Sequence, residues 1–172
     1  TAASAVFDDL AAQAVFDEAE RLASTAALPP CLLGSAPDDA CLQAFVEREG
    51  RLLARRPLTR DERARALGWL TQATAQWGAV DAARLLVQAM LQSPSMLYRT
   101  ELGDDGDGDA HTLTAHERAS LLSFSLTDAP PDAILDRAAD DGSLLEPAVL
   151  RVQAQRLLAT EAARTRLRAF FT

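Results

Sequence analysis

The sequence has no lysine and no asparagine, and its 172 residues include one isoleucine, one tyrosine and two cysteines. Residues that favour pleated, half-buried strands are therefore scarce, which excludes a β-rich domain. No apolar run approaches the roughly 18 residues of a membrane span. Glycine and proline number only 8 each, and 48% of the chain is hydrophobic. That composition excludes a collagen, a mucin-like stalk or a disordered acidic tail. Thr1 to Ala5 lack a basic stretch and an apolar core, so no signal peptide is expected within the sequence. A net charge of -8 argues against binding nucleic-acid phosphates.

What the sequence does have is alanine (35) and leucine (27), together more than a third of the chain. All 17 basic residues are arginine, a cation that stays charged and makes forked bonds to carboxylates. Such a bias is the mark of a GC-rich genome. The length fits one domain or two very small ones.

Apolar periodicity and stop signals predict an all-α fold of eight or nine helices with little or no sheet. The first helix is expected over Ser4 to Ala27, with Ser4 as its cap and Pro29-Pro30 ending it. A second starts at Asp38 or Asp39 and ends before Pro57. Thr59 and Glu62 form a capping box, opening a helix that Gly78 stops. Val80 to Gln92 is the next, and Ser95 to Glu101 is expected to be another short helical piece. Thr114 and Glu117 form a second capping box, for a helix to about Leu126. Pro131 is expected at the start of a helix running to about Ala139. Glu146-Pro147 opens one more, and Glu161 to Phe171 is the last. Four stretches follow: N-terminal helices with a cysteine loop (1–57), a middle helical stretch (58–102), an acidic Gly/Asp loop (103–112) and C-terminal helices (113–172). They are expected to form one globular unit.

Ordered landmarks run along the chain. Arg55-Arg56-Pro57-Leu58-Thr59 comes first, then Gln92-Ser93-Pro94-Ser95-Met96-Leu97-Tyr98-Arg99-Thr100-Glu101. Leu113-Thr114, Glu117-Arg118-Ala119-Ser120 and Pro131-Asp132-Ala133-Ile134-Leu135 follow, and the chain closes on Phe170-Phe171. In this combination the chain resembles the exported planctomycete and myxobacterial proteins whose segments are classed as domains of unknown function fifteen-ninety-five and fifteen-ninety-two. The first resembles the stretch around Arg55 to Gly78, the second Ala82 onwards. Met96, Leu121 and Phe124 to Thr127 depart from the usual family residues.

The resemblance implies a helical section of a larger exported, multidomain protein, periplasmic or at the cell surface. Relatives often carry c-type cytochrome modules elsewhere, which implies a redox-linked role, with other sections of the polypeptide or a redox partner as neighbours. Any haem belongs to those other sections. No cofactor is expected within this chain, where the Cys-x-x-Cys-His pattern is absent. The alternative reading is a section of an exported oxidoreductase or degradative enzyme whose catalytic groups lie outside this chain. An exported context also implies a disulfide between Cys31 and Cys41. On the residues alone, two free thiols remain the alternative.

No catalytic or metal-binding residue is assigned. Arg55, Arg56, Pro57, Ser93, Pro94, Tyr98, Arg99, Glu101 and Glu117 are read as structural residues of the family motifs. One of Arg55 and Arg56 is expected to pair with a carboxylate or to cap carbonyls at the preceding helix end. Tyr98, Arg99 and Glu101 are expected to form an ion-pair network around a buried arginine. Asp105, Asp107 and Asp109 alternate like the start of a calcium loop, but Ala110 and His116 stand where glycine and glutamate belong, so a solvated loop is expected. His111 and His116 flank a helix cap without a nucleophile motif. Trp69 and Trp77 share one helix side, expected in the core or at a domain interface.

Overall fold

In a computed structural model, residues 9–34, 36–99, 101–104 and 111–171 are described. Among them are nine α-helices and no strand. The all-α expectation holds. The expected cap at Ser4 and the aspartates at 105, 107 and 109 lie outside the described residues.

The chain divides into two compact units, one ending at Tyr98 and the other starting at Arg99. The packing thus separates at the residue where helix gives way to extended chain, whereas the sequence leads to an expectation of one globular unit.

The first unit holds α1 (Asp9–Thr25), α2 (Asp39–Ala54), α3 (Arg60–Trp77), α4 (Ala79–Leu91) and α5 (Pro94–Leu97). Helix α4 is its centre, packed against α1, α2 and α3. The reason lies in its sequence. Ala79, Ala82, Ala83, Leu86 and Val87 recur on one face and are all buried, and the small alanines allow close helix approach. Ala23 of α1, Phe45 and Val46 of α2, and Leu70 and Ala73 of α3 complete the core. The Asp38 carboxylate accepts from the Cys41 N–H at 2.8 Å and caps α2. Gly78, at φ +86°, makes the turn between α3 and α4 in backbone space that L-residues avoid.

A disulfide joins Cys31 to Cys41, with Cα atoms 6.1 Å apart. Of the two readings left open by the sequence, the bonded one holds. Cys31 lies in a short 3₁₀ turn, Pro30–Leu32, and Cys41 in the first turn of α2. The bond fixes the turn that places Leu32, fully buried, in the core.

The second unit holds α6 (Ala115–Thr127), α7 (Ala133–Asp140), α8 (Pro147–Leu158) and α9 (Glu161–Phe171). Its core gathers Ala115, Ala119, Leu135, Ala139, Leu144 and Leu157. Helix α7 begins at Ala133, later than Pro131, because the Asp132 carboxylate accepts from the N–H groups of Ile134 and Leu135 and takes the cap. Ser123, buried in α6, donates to the Pro130 carbonyl at 3.0 Å and ties down the turn between α6 and α7.

Candidate functional site

The two arginine-bearing landmarks meet in the first unit. Arg55 is the C-cap of α2 and sits at φ 58°, ψ 23°, in the left-handed region. A non-glycine residue there is strained and needs compensation. The guanidinium supplies it, donating to the carbonyls of Ser95, Met96 (3.4 Å) and Tyr98 (2.8 Å). Arg55 therefore caps carbonyls, as expected, but those of α5 rather than of its own helix.

Arg56 takes the other expected role. Its two terminal nitrogens donate to the two oxygens of Glu62 at 2.8 and 2.9 Å, the forked geometry that makes arginine–carboxylate pairs strong. Glu62 also accepts from the Thr59 N–H at 2.8 Å, and Thr59 accepts from the Glu62 N–H, so the predicted capping box is present. The Arg56 guanidinium, with Thr59 assisting, holds the Glu62 carboxyl down at about 2 against the opposing effect of burial. A folded-state value below the ordinary 4.5 means that this stabilisation is complete above that value. It is lost as pH falls from there towards 2. Because the pair is partly solvated, about 1–2 kcal/mol is expected to disappear over that window. Urea unfolding at stepped pH should show the loss in the wild type and a shallower decline in Glu62→Gln.

Beside this pair lies a cleft of about 250 Å³, lined by residues of α2, α3, α4 and the Ser93–Ser95 stretch. Leu58 forms part of its wall, and Gly50 explains how: a Cβ there would lie 2.3 Å from the Leu58 Cδ1. Pro57 delivers the chain to that contact from the left-handed Arg55. Ser93 and Pro94 start α5, with Pro94 in its first turn.

The expected ion-pair network at Tyr98, Arg99 and Glu101 does not form. Helix α5 stops at Leu97, and Tyr98 is extended at φ -119°, ψ 148°. Arg55 occupies carbonyls that a further helical turn would have used. Tyr98 contributes its carbonyl to Arg55, while its side chain is exposed. Arg99 is exposed, its guanidinium 5.6 Å from the centre of the Phe124 ring. Glu101 is exposed, and among the described residues it has no hydrogen bond or ion pair. Glu101→Gln is accordingly expected to leave the urea midpoint within about 0.5 kcal/mol of wild type.

In the second unit, Glu117 does what Glu62 does in the first, and more. It closes the capping box with Thr114, accepting from the Thr114 N–H at 2.8 Å and hydroxyl at 2.9 Å. It also accepts from the N–H groups of Leu102 at 2.8 Å and Gly103 at 3.1 Å. Burial pushes its carboxyl up, but these donors together hold it below the ordinary value. The Asp104 N–H donates to the Thr112 carbonyl at 2.9 Å. Gly103, at φ +73°, is required there, since a Cβ would lie 2.7 Å from the Thr112 oxygen.

His111 Nδ1 lies 3.0 Å from the Asp104 carbonyl, and His116 Nε2 lies 3.1 Å from Asp140. Trp69 and Trp77 face each other, ring centres 6.4 Å apart, and are 40% and 49% exposed. They are a surface pair beside buried Ala73, not core residues. Sequence reasoning missed Arg156, which donates to both oxygens of Asp132 at 2.7 and 3.0 Å. The aspartate before Ala133 carries a cap signal, but no local pattern links it to an arginine 24 residues on.

Residues 41–101 match the family model PSD5, a protein of unknown function (DUF1595). Residues 113–172 match PSD4, a protein of unknown function (DUF1592). Each family model thus matches one segment of the chain, about a third of its length. No curated protein and no solved structure matches it. The PSD5 segment contains Arg55, Arg56, Glu62 and the Ser93–Tyr98 stretch, so the residues that frame the cleft fall within one family segment. The PSD4 segment begins at the Thr114 capping box and includes Glu117. Among the described residues, no helix is long and apolar enough to cross a membrane.

Proposed function

We propose that this PSD5–PSD4 chain is a helical structural and interaction section of a larger exported protein, working beside c-type cytochrome modules in other sections or in a redox partner. One observation carries the structural part of the reading: the motif carboxylates and arginines are engaged with their own chain. Glu62 holds Arg56 and a helix cap, Glu117 holds a cap and two upstream amides, and Arg55 holds the end of α5. Carboxylates held below their ordinary values and surrounded by donors are poor general bases at neutral pH. The Cys31–Cys41 disulfide supports the exported part, because such bonds persist in oxidising compartments.

The redox context is tested by the absorption spectrum of the native full-length protein. A Soret band is expected from the whole polypeptide or its co-purified partner, and none from this chain alone. A full-length protein without haem and without a haem-containing partner overturns the redox part of the reading.

A further inference from the structure

We propose that the cleft between α2, α3, α4 and the start of α5 binds a small apolar carboxylate: a hydrocarbon body of several carbons ending in one carboxylate. This goes beyond the scaffold reading and does not depend on it.

Size comes first. At about 250 Å³, the cleft is smaller than the roughly 300–1,000 Å³ of pockets that hold drug-sized ligands. Its walls are mostly apolar, with Leu58, Leu86 and Met90 among them. The close Gly50–Leu58 approach keeps Leu58 in place as a wall. An apolar body of modest length gains from leaving water there.

Charge comes second. The segment 48–65 carries seven arginines and three carboxylates, in a chain whose net charge is -8. Of these arginines, Arg65 is the one that lines the cleft. Glu62, the acid among its lining residues, is already held by Arg56 and Thr59. Arg65 also lines the cleft, and among the described residues its guanidinium has no hydrogen bond or ion pair. The hydroxyls of Ser93 and Ser95, both lining residues, likewise have no hydrogen bond among the described residues. One fork and two hydroxyls suit the two oxygens of a carboxylate. An ammonium group would meet the wrong charge.

Octanoate, octanol and octylamine are suitable probes, titrated into the chain by calorimetry and followed by amide NMR. Octanoate is expected to bind with shifts centred on the cleft, roughly tenfold more tightly than octanol, since a charge-assisted bond is at stake. Octylamine should bind most weakly. Arg65→Gln should lower octanoate affinity roughly tenfold and leave octanol unchanged. Ala89→Leu, at an exposed lining position of α4, should fill the cleft and abolish binding with circular dichroism unchanged. The proposal is overturned if octanoate does not bind, binds no better than octylamine, or binds equally to folded Arg65→Gln or Ala89→Leu.

Discussion

Replacing both Cys31 and Cys41 by alanine is expected to cost the first unit about 2.5–3 kcal/mol, the entropy of closing a loop of this length in the unfolded chain. The residues are 10 apart in sequence, so the loop is short, but it has an uncommon position. It includes Leu32, which is fully buried and reaches the core only because the Pro30–Leu32 turn is fixed beside α2. Alanine is the better replacement at Cys41, which is itself buried, because a serine there would bring a hydroxyl into the core. Urea unfolding by circular dichroism, with and without reductant, measures the effect. The reduced wild type should match the double variant. Equal midpoints for oxidised and reduced protein would show that the loop contributes nothing.

Glu117 is the second position where a large effect is expected. Glu117→Ala removes the cap reciprocation at Thr114 and strands the amides of Leu102 and Gly103. A lost cap and lost charge-assisted bonds together amount to about 2–3 kcal/mol, limited by the access of water to those partly exposed groups. Glu117→Gln separates the two contributions. Its one carbonyl oxygen still serves Thr114, but its amide nitrogen faces N–H donors, so about 1–2 kcal/mol should be lost. Hydrogen exchange distinguishes the variants. The Leu102 and Gly103 amides should lose protection in both, whereas the Thr114 amide should keep it with glutamine. Unchanged exchange at Leu102 and Gly103 would refute the bridging role.

Local chemistry was readable from the sequence. Thr59–Glu62 and Thr114–Glu117 are capping boxes because each pairs a short hydroxyl with a carboxylate three residues on, and both are formed. Alanine and leucine spacing gave α4 its buried face. What escaped was long-range. Arg55 reaches carbonyls more than 40 residues away, and its demand for them ends α5 before the helix expected to reach Glu101. Asp132 and Arg156 find each other across α7 and α8. The motif arginines marked the candidate site, but the cleft beside them depends on Gly50, whose missing side chain gives no signal until Leu58 is seen against it.

The paired indoles of Trp69 and Trp77 make the two units optically distinguishable. They are the only two tryptophans in the chain, and both lie on α3 of the first unit. Emission excited selectively through indole therefore reports the first unit alone, whereas far-ultraviolet ellipticity sums the helices of both. Denaturation curves from the two probes will superimpose when the units unfold together and separate when they do not. The native protein thus carries an internal reporter of cooperativity without any label.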